Sequence, residues 1–236
     1  MSTRDGGGRQ LPLALRYPPD QRFETFVAAP EGALALLAAL ARGEVREGCY
    51  LSGPAGVGKT HLALAACAAA DAAGRRAAYL PLAAAAGRAR EALEALHDHD
   101  LVALDGLEAI AGRREDEVAL FDFHNRARGA GAALLYTARA APDALSLTLP
   151  DLRSRLAQCA RIVLAPLDDA GRRAALHERA RRRGLVIEEA AMDWLLRRVE
   201  RDLASLTALL DRLDRASLAA QRRVTVPFLR AVLGGE

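Results

Sequence analysis

The chain has no uncharged run of the roughly 18 residues that a membrane-spanning helix needs. Its longest Ala-rich stretches, such as Leu62 to Ala70, read as interior helices. The apolar core of a secretory signal is also missing, because Met1 to Arg9 is polar and Gly-rich. Cysteine is scarce and odd in number. Cys49, Cys67 and Cys159 sit in apolar contexts and read as reduced core thiols, which excludes a disulfide scaffold. The expectation is a cytoplasmic protein with no membrane partner.

Charge of one sign is barely in excess, with a net +3 and a mean hydropathy of +0.01 over 236 residues. A modest surplus spread over many helices reads as a solvated surface and does not by itself point to nucleic acid. The length suffices for a full core, or for a large domain with a smaller one. Lysine is the scarcest charged residue: 33 residues are Lys or Arg, and Lys59 is the single lysine. In a chain biased toward Ala and Arg, the retained lysine marks a place where a guanidinium does not substitute.

Lys59 closes Gly53-Pro54-Ala55-Gly56-Val57-Gly58-Lys59-Thr60, a complete G-x-x-x-x-G-K-T phosphate loop. The glycines let backbone N–H groups turn inward into an anion-binding nest. A compact ammonium reaches the β and γ phosphates, where a planar fork would crowd the loop. Thr60 is placed to offer its hydroxyl to Mg²⁺, and the following helix, with helix formers from Thr60 to Ala73, points its positive end at the phosphates. The apolar run Cys49 to Ser52 ahead of the loop and the helix formers behind it supply the strand–loop–helix context.

A second apolar run, Leu101 to Leu104, ends in Asp105, a carboxylate at the carboxyl end of a buried strand where it can hold Mg²⁺ through water. Many such ATPases place a second carboxylate next, to polarise water. Here that position is Gly106, and the nearest alternative is Glu108. The sequence therefore points to nucleotide binding more firmly than to hydrolysis.

Short apolar runs at 77–80, 101–104, 132–137 and 161–164 alternate with helical stretches at 62–73, 88–96 and 116–128. This alternation predicts an α/β fold with a parallel sheet and crossover helices. After Pro166 the pattern predicts helices over 168–183, 188–200 and 202–221, a short Val224-Thr225-Val226 segment and a last helix near 227–233. His97-Asp98-His99-Asp100 lacks the spacing of a metal site and reads as a solvated loop. His61, His124 and His177 fall on separate helices.

These features describe the AAA+ class, and several segments resemble the DnaA/Hda family within it. Arg16-Tyr17-Pro18-Pro19 followed by Phe23-Glu24-Thr25-Phe26-Val27 is similar to the family's lead-in segment. Leu149-Pro150-Asp151-Leu152-Arg153-Ser154-Arg155-Leu156 resembles the box that carries its arginine finger, with Arg155 at the finger position. Arg212 to Ser217 and Val224 to Phe228 resemble the lid of its Hda branch. Gln10-Leu11-Pro12-Leu13-Ala14-Leu15 looks like the peptide with which bacterial replication proteins plug the polymerase sliding clamp; the Gln10 amide would hydrogen-bond while Leu11, Leu13 and Leu15 fill an apolar pocket. The chain stops at Glu236, where the resemblance leaves no room for an initiator's DNA-reading domain.

The resemblance implies a P-loop AAA+ five-stranded parallel sheet with flanking helices, followed by a small helical lid. Its domains would be a flexible tail over 1–16, an α/β domain over 17–166 and a lid over 167–236. ADP or ATP with Mg²⁺ would occupy Gly53 to His61 and Asp105. The partners implied are the initiator DnaA, the sliding clamp and, through the clamp, DNA; a homodimer is compatible with the clamp ring's repeated pockets. The function implied is negative regulation of replication initiation, with Arg155 stimulating hydrolysis of the initiator's ATP. Departures from the family pattern are Gly106, Arg139 in place of an acidic sensor residue, and Ala204 in place of a sensor arginine, for which Arg201 is the nearest substitute. Three alternatives stay open: a DnaC-like helicase loader with its own ATPase, a clamp-tethered binding module, and, more distantly, a small-molecule kinase.

Overall fold

The computed structural model describes residues 21–27, 29–198, 212–213, 216 and 223–233. Five strands form one all-parallel sheet in the order β2-β3-β4-β1-β5: β1 Cys49–Ser52, β2 Ala77–Pro81, β3 Leu101–Asp105, β4 Ala133–Ala138 and β5 Ala160–Val163. Parallel strands require crossovers, and helices supply them on both faces. Side chains alternate accordingly. Tyr50, Val102, Leu104, Leu134 and Tyr136 face one helical layer, while Cys49, Leu51, Leu101, Ala103 and Leu135 face the other.

The second layer holds α1 Ala33–Arg42 and α2 Lys59–Ala72. Eight of the fourteen α2 residues are buried, mostly alanines, so the helix lies close against the sheet. The first layer holds α3 Leu82–Ala85, α4 Ala89–Glu94, α5 Arg114–Gly129 and α6 Pro150–Ala157. All three cysteines are buried free thiols, as expected. Burial pushes the Cys49 thiol up to about 12 and the Cys159 thiol to about 11, so neither ionises near neutrality.

Beyond the sheet lie α7 Asp169–Arg182, α8 Glu189–Arg198 and α9 Val226–Leu233, around a separate core of Leu176, Met192, Leu195, Leu213, Val224 and Leu229. Asp168 caps α7 by accepting the Gly171 N–H at 2.7 Å. The Val224–Val226 segment is shorter than its sequence suggests. Val224 makes one parallel bridge to Ile187, and the helix already begins at Val226. Most of the helix expected over 202–221 lies outside the described residues.

The segment before α1 links the two parts. His61 Nε2, on the first turn of α2, lies 2.9 Å from Arg22 O and 3.0 Å from Thr25 Oγ1, and Phe26 meets the ring edge-on. From the other side, Arg182 of α7 donates to Glu24 O at 3.1 Å. The His97–Asp100 stretch is a loop in which Asp100 accepts the Arg76 N–H at 2.8 Å. Among the described residues no cluster of three potential metal ligands occurs, and no helix is long and apolar enough to cross a membrane.

Candidate functional site

The loop between β1 and α2 is built on three glycines with positive φ: 154° at Gly53, 77° at Gly56 and 97° at Gly58. At Gly53 space is excluded as well, because a Cβ there would lie 2.3 Å from Leu164 O. Gly58 caps α2, whose first backbone bond runs from Leu62 N–H to Gly58 O at 3.0 Å. The N–H groups before it lie ahead of the helical ladder, at the positive end of the helix dipole. Val57 is buried beneath the loop, whereas Pro54 and Ala55 are exposed.

Lys59 folds back over this loop and donates to Gly53 O at 2.7 Å and Pro54 O at 2.6 Å. Burial lowers its pKa, and the Glu108 and Asp105 carboxylates oppose that shift. Thr60 donates to Asp105 Oδ2 at 2.8 Å, which brings the loop helix and the tip of β3 together as the sequence leads one to expect. His61 belongs to the same first turn, but its imidazole faces Arg22 and Thr25.

Two further hydroxyls meet Asp105 that sequence reasoning did not assign. Tyr79, on β2, donates to Oδ2 at 2.7 Å, and Thr137, on β4, donates to Oδ1. Thr137 Oγ1 also accepts the Gly106 N–H at 2.9 Å. The signal available in the sequence is a hydroxyl-bearing residue within an otherwise apolar strand. Burial and the neighbouring Asp105 charge raise the Tyr79 pKa, so its phenol is a donor at working pH.

Gly106 has φ 83°, a left-handed conformation that favours glycine. Glu108, the nearest alternative, is engaged by Arg139: its Oε2 accepts the Arg139 N–H at 3.1 Å, and its Oε1 lies 3.2 Å from Arg139 Nε. The alternative carboxylate at 108 and the departure at 139 are thus partners across the tips of β3 and β4.

Arg155 is not part of this cluster. It lies on α6, exposed, in a cleft of about 530 Å³ whose lining includes Glu47, His124, Asn125, Arg128 and Gln158. Its guanidinium makes no hydrogen bond or ion pair to any described residue. Glu47 precedes β1 and Cys159 precedes β5, so the cleft opens at the amino ends of the strands, while the glycine loop sits at the carboxyl end of β1. The strand alone separates them by roughly 13 Å. Behind the cleft, His124 Nδ1 lies 2.8 Å from Tyr136 Oη; burial, with the charges of Arg128 and Arg155, lowers its pKa to about 4. Gln10, Leu11, Leu13, Leu15, Arg201 and Ala204 lie outside the described residues.

Residues 169–233 match the family described as Hda, lid domain. The fold is similar to domain III of the Thermotoga maritima replication initiation protein DnaA, with a TM-score of 0.77 and 21% identity over 92% of this chain and 97% of that one. It is also similar to AMPPCP-bound DnaA from Aquifex aeolicus, with a TM-score of 0.69 and 20% identity over 86% of this chain and 67% of that one. The RuvB Holliday junction branch migration motor of Thermotoga maritima gives a TM-score of 0.68 and 18% identity over 92% of this chain and 72% of that one. At such identities the structural likeness speaks for the fold: the chain has a DnaA-like AAA+ fold, and its residues 169–233 match the lid domain of the Hda family.

Proposed function

We propose that this chain is a nucleotide-bound AAA+ adaptor that restrains replication initiation by stimulating hydrolysis of ATP held by the initiator DnaA. The observation that carries the reading is Arg155, a cation exposed in a cleft remote from its own glycine loop, in a chain with an Hda-family lid. An arginine so placed serves a phosphate on another subunit, and such fingers are worth about 10³ or more in rate.

The residues of the loop fit an adenine nucleotide with Mg²⁺. Positive-φ glycines and a half-buried ammonium suit phosphate, and the Thr60 hydroxyl with the Asp105 carboxylate suits a hard divalent cation. When bound, the nucleotide supplies the anionic charge that Lys59 and the α2 N-terminus complement. Lys59 would exchange the Gly53 and Pro54 carbonyls for phosphate oxygens, and Thr60 and Asp105 would hold the cation. Glu108 is paired with Arg139, so among the described residues no carboxylate beside Asp105 is left to activate water. This favours retention of nucleotide over turnover, and an adaptor over a helicase loader that runs on its own ATP.

In this reading Gln10, Leu11, Leu13 and Leu15 dock on a DNA-loaded sliding clamp, which brings Arg155 to the initiator. The test is hydrolysis of ATP preloaded on DnaA, with DNA-loaded clamp, ADP and this chain, beside Arg155→Ala and Gln10→Ala. Stimulation that both substitutions abolish supports the adaptor mechanism. Turnover by this chain alone, with no effect on the initiator, would transfer it to the loader class.

A further inference from the structure

We propose that Glu117 is a positioning residue for Arg155: its buried carboxylate anchors the chain entering the helix that carries the arginine and so fixes where the guanidinium points. The inference rests on the trans-acting role of Arg155 proposed above. Glu117 sits in the first turn of α5 and is fully buried. Its Oε1 accepts the Gly112 N–H at 2.7 Å and the Thr148 N–H at 3.1 Å. Its Oε2 accepts the Thr148 N–H at 2.9 Å, the Thr148 hydroxyl at 2.9 Å and the Leu149 N–H at 2.7 Å.

Leu149 is the N-cap residue of α6, and its apolar side chain cannot cap. The carboxylate from α5 instead holds the N–H of Leu149 and of Thr148 before it, the contact to the N-cap N–H that the N3 carboxylate of a capping box makes within a helix. Two arginines hold the same approach from its carbonyl side: Arg114 donates to Thr148 O at 3.1 Å and Arg153 to Leu147 O at 2.7 Å. Burial would raise the pKa of Glu117, but the donors from Thr148, Gly112 and Leu149 outweigh it and keep the group below the usual carboxylate range.

α6 is eight residues long and buries two of them, Leu152 and Leu156. A helix this short has little stability of its own, so its direction is set by its anchored entry together with the packing of Leu152 and Leu156. Arg155 lies six residues beyond the cap, about 9 Å along the axis. A tilt of about 15° at Leu149 would swing it by about 2 Å, and misplacement by about 1 Å can cost about 10²-fold in rate. Neither Thr148 nor Glu117 needs to touch the partner for this to hold.

The experiment compares Glu117→Gln, Arg155→Ala and the double variant in DnaA ATP hydrolysis with DNA-loaded clamp, titrating this chain to saturation. Amide exchange over residues 150–157 is followed in parallel. A misdirected finger lowers the saturating rate, whereas a smaller folded fraction shifts only the amount needed for half-saturation. The expected result is a saturating rate reduced about tenfold or more in Glu117→Gln, with half-saturation and nucleotide affinity within about twofold. The double variant should be no slower than Arg155→Ala, because the two act as one unit. Exchange should quicken in 150–157 and stay unchanged at the glycine loop. An unchanged saturating rate beside an inactive Arg155→Ala overturns this inference while leaving the adaptor reading intact. No loss in Arg155→Ala overturns both. Should Glu117→Gln not fold, Thr148→Val, which removes only the hydroxyl donor, decides in its place: a drop of about two- to fivefold supports the inference, and no drop overturns it.

Discussion

Thr60 and Asp105 are joined by a hydrogen bond of 2.8 Å, although 45 residues separate them. The contact ties the first turn of the helix behind the glycine loop to the tip of β3. Tyr79 and Thr137 complete a shell of three hydroxyls around the one carboxylate.

That shell fixes Asp105 without neutralising it. Asp105→Asn keeps an oxygen acceptor and removes the charge a divalent cation needs. Nucleotide affinity measured by calorimetry should fall about tenfold or more in the presence of Mg²⁺ and change little in EDTA. An equal loss under both conditions would remove Asp105 from the cation.

Lys59 lends little to the fold, since its bonds go to loop carbonyls that water can also satisfy. Lys59→Ala should melt within about 2 °C of the parent while losing about 10²-fold in nucleotide affinity, the size expected of charge-assisted contacts to phosphate. The stabilisation that nucleotide gives the parent in a thermal melt should vanish.

Gly53 is constrained by both conformation and space. With φ at 154° and Leu164 O 2.3 Å from the site of a Cβ, Gly53→Ala should cost about 2 kcal/mol or more in chemical denaturation. Gly74→Ala is the control. It too has positive φ, but open space around its Cβ, and should cost about 1 kcal/mol.

His124 should make the fold acid-sensitive. Its folded pKa of about 4 lies below the unfolded value near 6.5, so the unfolded chain binds the extra proton between them. The contribution is intact above pH 6.5 and is lost as pH falls toward 4. Between pH 7 and pH 5 the loss amounts to about 2 kcal/mol by that linkage. Denaturation at the two pH values should show a smaller difference for His124→Gln than for the parent.

The strands were legible because both faces of the sheet are covered, which makes β1, β3 and β4 continuous apolar runs between turns. The glycine loop and Asp105 were legible because their chemistry is local. α1 was not assigned: Ala33–Arg42 consists of Ala and Leu but for its last residue, so its inward face of Ala33, Leu37, Leu40 and Ala41 is not marked off by polar residues. Tyr79 and Thr137 were missed as partners of Asp105 because their meeting depends on strand order, across 26 and 32 residues. Glu117 hides in Glu115-Asp116-Glu117, an acidic first turn of a common kind, and burial alone sets it apart from Glu115. The pairing of Glu108 with Arg139 spans 31 residues and likewise exists only once β3 and β4 lie side by side.

The short segment ahead of α1 touches the loop helix through His61 and the lid through Arg182. It behaves mechanically as a strut shared by two bodies. Tension applied to the chain upstream of Gln21 enters the molecule at that strut, and a rotation of α7 pulls on the same segment. A load on the leading end and a swing of the lid therefore converge on the first turn of α2, one residue from the hydroxyl that meets Asp105.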